Sequence, residues 1–166
     1  MIIINNTELI NGISLEKYAE LLVKFVDTED NEVSFREILG KEKITLENWK
    51  KAKEGWSLRM NDSQDKGKTT ELFMPLYQAA LERKYYEKEP CTLEEFTQIH
   101  CEITFKRDPY DSTKKINYED VLKEHNITIS RWGLYKSFWT PRVAMPKYHD
   151  SFVEQVLKNS ERLLDL

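Results

Sequence analysis

The chain has 166 residues, of which 33% are charged and 40% are hydrophobic, and its formal net charge is −4. This length suits one domain or two small ones, and the composition is ordinary for a water-soluble protein. The acidic balance argues against nucleic acid as the main partner, and no run approaches the roughly 20 apolar residues of a membrane span. The first residues lack the length and basic start of a signal peptide, so we expect a cytoplasmic protein with no membrane partner.

Helical periodicity extends through nearly all of the chain. Residues suited to cap a helix N-terminus precede successive apolar runs, and they are Ser14, Ser34, Thr45, Thr92, Asn117 and Thr128. Ser34 and Thr92 are each followed three residues later by glutamate, which completes a capping box. For the first ten residues we expect an extended segment or a short strand, because Ile2–Ile4 are β-branched.

Prolines set several of the remaining boundaries. A long helix is predicted from about Leu72 to Lys88, with Pro75 in its first turn. Near the end of the chain, Pro141 and Pro146 predict that a helix ends early, since proline cannot donate the backbone hydrogen bond that continues it. A last helix is predicted over residues 147–164.

All four tryptophans lie in one repeated pattern. Each copy has two tryptophans seven residues apart and an arginine three residues later, and the copies are Trp49, Trp56 and Arg59, then Trp132, Trp139 and Arg142. The interval between the capping residues Ser14 and Thr92 is shorter than the interval between Trp49 and Trp132. The second copy is therefore longer, and its additional residues fall in the polar segment 106–113, which predicts a loop. Near the copy ends, Phe73 aligns with Val153.

The repeat predicts an all-α fold, made by tandem duplication of a four-helix unit. The unit consists of a first helix, a short helix, a tryptophan helix and a long helix, and its copies cover residues 13–90 and 91–166 after an N-terminal extension of residues 1–12. A unit of about 75 residues is near the lower limit for burying a sufficient core. We therefore expect the two units to pack as one body.

What occurs in both copies is interpreted as scaffold. The two tryptophans of each pair share one helix face, and each buries on the order of 150–250 Å² when it lies in a core. The following arginine is expected to stack on the indole or to pair with a carboxylate such as Glu16 or Glu94. The predicted structural core contains Trp49, Trp56, Trp132, Trp139 and Arg59. An aromatic surface for a partner is the alternative.

Features found only in the second copy are the candidates for a partner surface. Residues 125–149 contain no acidic side chain, and basic and aromatic side chains alternate there. Such a mixture suits a protein partner with acidic patches. The predicted partner-binding residues are Tyr110, Arg131, Tyr135, Lys136, Phe138, Arg142, Lys147 and Tyr148.

The sequence carries no motif for catalysis or for a metal. The three histidines are scattered, and Cys91 with Cys101 does not give a zinc spacing. Paired acids at helix starts suit the helix dipole better than acid–base catalysis. We therefore expect no enzyme activity, no cofactor and no metal.

The first copy resembles a little-studied bacterial family of helical domains of unknown function. The resemblance is carried by Tyr18-Ala19 and by the W-x6-W-x2-R core that begins at Trp49, and it covers about residues 13–85. The second copy departs from the pattern at Pro141 and Val143. The family is associated with type VI secretion or toxin loci, and the resemblance implies no catalytic residue.

These observations predict a non-enzymatic protein-binding module. The expected role is that of an adaptor, a chaperone or an immunity protein for a secreted bacterial effector, with a toxin or a secretion component as the partner. One alternative is a nucleic-acid-binding regulator, because the short helix, the turn with Lys43 or Asn126 and the tryptophan helix resemble a helix-turn-helix. Another is a self-assembling structural component, a homo-oligomer.

Overall fold

Side-chain caps determine where most helices begin. In the computed structural model, which describes residues 8–28 and 31–164, five of the predicted capping side chains accept a hydrogen bond from a backbone N–H two or three residues later. They are Ser14, Thr45, Thr92, Asn117 and Thr128. These caps confirm five of the predicted helix starts. The prediction for Ile2–Ile4 lies outside the described residues.

The described part of the chain is mostly helical, which agrees with the all-α class. Its helices are α1 (Leu15–Phe25), α2 (Glu32–Lys41), α3 (Leu46–Asn61), α4 (Lys68–Lys84), α5 (Leu93–Phe105), α6 (Tyr118–Glu124), α7 (Ile129–Val143) and α8 (Pro146–Leu164). A small antiparallel hairpin of β1 (Leu9–Ile10) and β2 (Ile13–Ser14) precedes α1. Among the described residues, no helix combines the length and apolar composition needed to cross a membrane. The chain divides into unit 1, Met1–Tyr86, and unit 2, Glu87–Leu166.

The core of unit 1 forms around the two tryptophans of α3. Trp49 and Trp56 are 3% and 1% exposed. The ring centroid of Trp49 lies 5.5 Å from that of Tyr18 on α1, and Tyr18 lies 5.9 Å from Phe73 on α4. Three helices of unit 1 therefore meet through one aromatic stack.

The hairpin is fixed directly to α3. Asn11 and Gly12 both have positive φ, 49° and 78°, as the two-residue turn of a hairpin requires. A Cβ placed on Gly55 would lie 2.7 Å from Cγ2 of Ile10, so the hairpin packs where α3 has no side chain. The indole N–H of Trp56 donates to the carbonyl of Ile13 over 3.1 Å. Residues 8–12, which we predicted to be an extension, thus belong with unit 1.

An ionic network joins α1 to the end of α2. Glu42 follows α2 and accepts hydrogen bonds from the ammonium groups of Lys17, at 2.8 Å, and Lys24. Glu20, which also pairs with Lys17, lies 2.9 Å from the guanidinium of Arg83 on α4. Because these ion pairs are partly exposed, each contributes little by itself to the free energy of unfolding.

Unit 2 has a core of the same kind. Phe96 on α5 lies 5.5 Å from Trp132 on α7 and 6.4 Å from Phe152 on α8. Trp132 and Trp139 are 3% and 0% exposed. The indole N–H of Trp139 donates to the carbonyl of Cys91 over 3.3 Å, just before the cap of α5.

A buried carboxylate holds the end of α5 to α6 and α8. Glu102 is 7% exposed, and its oxygens lie 3.0 Å from Nε2 of His125, 3.0 Å from the amide nitrogen of Gln98 and 3.7 Å from the guanidinium of Arg162. Burial raises the pKa of Glu102, but the hydrogen bonds from Gln98 and His125 and the nearby positive charge outweigh burial and lower the pKa below its ordinary value.

The turns that precede the tryptophan helices have the same backbone geometry in both units. Lys43 has a φ of 56° and Asn126 a φ of 54°. The next residue in each case, Ile44 or Ile127, donates its N–H over 3.0 Å to a leucine carbonyl in the short helix. A lysine therefore adopts the left-handed conformation that asparagine adopts at the related position.

Two predicted helix starts were wrong. Helix α2 begins at Glu32, because the side chain of Asn31, and not that of Ser34, accepts from the first free N–H groups. Helix α4 runs from Lys68 to Lys84 and contains Pro75 in its interior. Asp65 causes this earlier start by accepting bonds from the backbone N–H and the hydroxyl of Thr69.

Two expectations for unit 2 also need correction. Pro141 does not end α7, which continues to Val143, and Pro146 instead forms the first residue of α8. Phe152, and not Val153, makes the aromatic contact that Phe73 makes in unit 1. The contacts of the last helices therefore correspond one position earlier than the sequence alignment placed them.

Candidate functional site

The turn between α7 and α8 brings the predicted basic and aromatic residues together. Met145 donates its N–H to the carbonyl of Arg142, and its own carbonyl accepts from Tyr148 and His149. Pro146 suits the start of α8, since its fixed φ is helical and its missing N–H is not needed there. Only two residues separate the helices, so the end of α7 and the start of α8 are held close together.

A continuous series of contacts runs across this turn. The guanidinium carbon of Arg142 lies 3.8 Å from the ring centroid of Phe138, and Nη1 donates to the Phe138 carbonyl over 2.7 Å. Phe138 meets Trp139 edge-on at 5.2 Å, and Trp139 meets Tyr148 edge-on at 5.4 Å. The ammonium of Lys147 lies 4.8 Å from the Tyr148 ring. We call Phe138, Trp139, Arg142, Lys147 and Tyr148 the junction cluster.

The junction cluster has a buried base and an accessible rim. Phe138 and Trp139 are buried, whereas Arg142 and Tyr148 are half-buried and Lys147 is exposed. Met145, in the turn, is 50% exposed. A hydrogen bond with Tyr148 raises the pKa of Lys147, so this ammonium is charged at neutral pH. The rim therefore offers two cations, a phenol and a thioether on a rigid aromatic support.

The remaining predicted residues of α7 do not all join this rim. Tyr135 and Phe138 are 5% and 3% exposed, so the partner surface predicted from the sequence does not include these two side chains. Burial raises the pKa of Tyr135, while Arg131, half-buried beside it, acts in the opposite direction. Lys136 is exposed, but the 100° step of a helix places it about 120° around α7 from Arg142.

Tyr110 lies at the other end of unit 2. It is 98% exposed at the tip of the predicted loop, whose base is closed by backbone pairing of Arg107 with Lys115. The side chain of Asp108 accepts from the N–H groups of Tyr110 and Asp111, which orders the tip. The loop leaves the C-terminal end of α5, whereas Trp139 contacts the N-terminal end, and the 13 residues of α5 span about 20 Å. Tyr110 is therefore separate from the junction cluster.

The corresponding arginine of unit 1 is held differently. Arg59 donates two hydrogen bonds of 2.6 Å to the carboxylate of Glu8, and its guanidinium lies 5.4 Å from the Trp56 ring centroid. The stacking is as expected, but the acid comes from the segment before the hairpin and not from Glu16. Arg59 lowers the pKa of Glu8, and Glu8 raises the pKa of Arg59. The pair fixes the chain before α1 to the end of α3.

The two cysteines are buried in unit 2 and are not paired with each other. Burial raises the pKa of Cys91 to about 12 and also raises the pKa of Cys101. Because the thiolate is the nucleophilic form, neither thiol is activated at neutral pH.

Met145 is an accessible residue that sequence reasoning missed. Its signal was the proline that follows it: a proline at the first position of a helix places the preceding residue in the turn. Glu8 was missed as well, because nothing in the sequence near it indicates a partner 51 residues away.

Comparison of the chain with protein-family models, curated proteins and solved structures gives no match. The resemblance to the bacterial family of helical domains therefore stays a prediction.

Proposed function

We propose that the chain is a non-enzymatic protein-binding module that acts as an adaptor, a chaperone or an immunity protein for a secreted bacterial effector. The observation that carries the proposal is the junction cluster. Together with Met145 in the turn, it combines exposed and half-exposed arginine, lysine, tyrosine and methionine side chains on a buried aromatic base. Tyrosine, arginine and methionine are enriched at protein interfaces, and arginine and tyrosine often dominate the binding energy.

The proposal includes the tandem duplication of a four-helix unit. In support, the second tryptophan of each unit donates to the carbonyl just before the cap of the first helix, that of Ile13 or of Cys91. The first tryptophan lies 5.5 Å from an aromatic residue of the first helix in both units. The residues that occur in both copies are then required by the fold, and we expect the partner-binding surface among the residues that differ between the copies.

The arginine after the second tryptophan is such a difference. In unit 1, the carboxylate of Glu8 neutralises Arg59. In unit 2, the guanidinium of Arg142 lies on the ring of Phe138 and donates to the Phe138 carbonyl over 2.7 Å. The arginine at this scaffold position thus binds the segment before the hairpin in unit 1 and belongs to the junction cluster in unit 2.

The chemistry of the rim favours a partner segment that is acidic and partly apolar. Arg142 and Lys147 supply positive charge, which steers and selects acidic partners. Met145 is flexible and polarisable, and it adapts to apolar side chains of different shape. An acidic segment that also carries one or two apolar residues matches both features.

Site-directed photo-crosslinking in the organism that encodes the protein tests this proposal. A photoreactive amino acid replaces Met145, and the matched control replaces Tyr86, which is 89% exposed in unit 1. We expect one protein to be crosslinked at position 145 and not at position 86. The additional substitution Lys147→Glu should reduce this crosslink. Equal crosslinking at both positions, or none at 145, would contradict the proposal.

A second candidate function is nucleic-acid binding through unit 1. Helices α2 and α3 meet at the left-handed residue Lys43, and the outer face of α3 exposes Lys50, Lys51 and Lys53. This function predicts binding to duplex DNA that weakens steeply with added salt. Replacing the three lysines of α3 by glutamate should abolish such binding, whereas Lys147→Glu should not. Fluorescence anisotropy with a labelled duplex separates the two candidates.

A further inference from the structure

The α5–α8 interface of unit 2 contains a half-buried imidazole. The ring of His100 lies 6.0 Å from Phe96 on its own helix and 6.1 Å from Phe152 on α8. Phe152 also contacts Phe96 at 6.4 Å, so the three rings form one triangle across the helix pair. The imidazole therefore lies in the contact that joins the two helices.

Unit 1 has no titratable group at the related position. The alignment of Ser14 with Thr92, which relates the first helices, places Leu22 opposite His100. Leu22 is packed against the apolar core of unit 1. The same helix pairing thus has a leucine in unit 1 and a histidine in unit 2.

Helix α8 also buries fewer side chains than α4. None of the described residues of α8 is buried, whereas α4 buries Thr69, Ala80 and Leu81. Elements with few buried contacts open at lower free energy than the rest of a protein. A small change in the α5–α8 contact therefore affects α8 before other elements.

We propose that His100 is an acid-sensitive latch: its protonation loosens α8 from α5 and so disassembles the junction cluster, while unit 1 stays closed. Lys147 and Tyr148 belong to α8, so loosening this helix removes them from Trp139 and Arg142 on α7. The effect on α8 is independent of any partner. Its consequence for binding rests on the proposed function.

Burial lowers the pKa of His100. The unfolded chain therefore takes up a proton near the ordinary value of 6.5, and the folded chain only at lower pH. The contribution of neutral His100 to stability is fully present above pH 6.5, and it is lost as the pH drops towards the pKa of the folded chain. By linkage, one such group changes the opening equilibrium by at most about tenfold for each pH unit.

Other ionisable groups lie near this interface on α5, on α8 and after α6. On α5 they are Cys101, whose pKa burial raises, and Glu102, whose lowered pKa causes a loss of stability only below its ordinary value of 4.5. Around them, α8 contributes Tyr148 and Arg162, and α6 is followed by His125, the partner of Glu102. Between pH 6.5 and pH 4.5, the effect of protonating His100 on stability can thus be distinguished from the effect of protonating Glu102.

Hydrogen exchange of the full chain, followed by mass spectrometry from pH 7.5 to pH 5 and corrected for the intrinsic rate, tests the latch. We expect protection of α8 to fall several-fold towards pH 5 and protection of α1 and α4 to be constant. His100→Leu introduces the residue found at the related position of unit 1, and it should remove the pH-dependent loss of protection in α8. His149→Gln, on the exposed side of α8, should leave it in place.

A second experiment introduces a histidine at the related position of unit 1. Leu22→His should give α4 the acid-dependent loss of protection that α8 has in the native chain. The latch is refuted if α8 loses protection equally in His100→Leu, or if α1 and α4 of the native chain open together with α8. Because no partner is used, these outcomes are distinct from failure of the crosslinking at position 145.

Discussion

The two tryptophan helices, α3 and α7, have the same anchoring contact, but their C-terminal ends make different contacts. Each fixes its second indole to the carbonyl before the first helix, at Ile13 or at Cys91. Beyond that anchor, α3 ends in an ion pair with Glu8, whereas α7 ends in a series of cation–aromatic contacts. The repeated sequence thus specifies the scaffold, and residues outside the repeat determine what the end of each tryptophan helix contacts.

The largest effect should come from removing the shared anchor. Trp56→Ala and Trp139→Ala should each lower the free energy of unfolding of the whole protein by about 3–5 kcal/mol, because both indoles are fully buried and hydrogen-bonded. Chemical denaturation measures both losses. The comparison fails if one substitution costs less than about 1 kcal/mol, since that value is typical of a site outside a core.

Glycine substitutions test the packing of the hairpin that precedes α1. Gly55→Ala places a methyl group 2.7 Å from Ile10, and overpacking of this kind costs about 1–3 kcal/mol, partly offset by the better helix propensity of alanine. The control is Gly133→Ala in α7, where no atom lies within 4 Å, and alanine should stabilise by up to about 1 kcal/mol. Thermal denaturation of the two variants should therefore give shifts of opposite sign. Shifts of the same sign would show that the hairpin does not pack on α3.

The smallest effect should come from the ion pair of Arg59. Glu8→Gln should cost under about 1 kcal/mol, since the pair is about one-third exposed. Because Arg59 lowers the pKa of Glu8, the contribution is present above the ordinary carboxyl value and is lost as the pH falls through the lower folded value. Denaturation should show a larger difference from the native chain at pH 7 than at pH 3. A larger difference at pH 3 would contradict the assigned ion pair.

The helix starts were the most predictable part of the fold. Ser14, Thr45 and Thr128 act through hydrogen bonds to residues three positions away, so the local sequence contains the whole interaction. Asn31 was overlooked because Ser34 with Glu37 formed a competing capping box. Two plausible caps within one turn cannot be separated without knowing where the chain enters the helix.

The hairpin was missed although its signal was local. Asn11-Gly12 is the preferred pair for a two-residue hairpin turn, and the flanking isoleucines, Ile10 and Ile13, are favourable in strands. The very short strands gave no alternating pattern to accompany the turn. The packing of Ile10 on Gly55 supplies the remaining stabilisation, and this contact is not visible in the local sequence.

The candidate site was less predictable because its composition depends on which faces of α7 are covered. Tyr135 and Phe138 were grouped with Arg142 by type and proximity in the sequence, but both are buried. Helical spacing shows that they share a face and does not show whether that face meets solvent. Met145 had no chemical signal, and only the geometry of the α7–α8 turn identifies it.

One contact between the first and second helices has opposite polarity in the two units, whereas Lys106 and Glu124 pair in unit 2 with the polarity found in unit 1. Unit 1 places Lys24 beside Glu42, and unit 2 places Glu102 beside His125 at the related positions. Chains with similar neighbouring units can misassemble by exchanging helices during folding. Here an exchange of the first helices would bring the buried carboxylate of Glu102 against Glu42, so that two carboxylates would meet at this contact. The reversed polarity at this contact thus disfavours the exchanged pairing of helices relative to the native one.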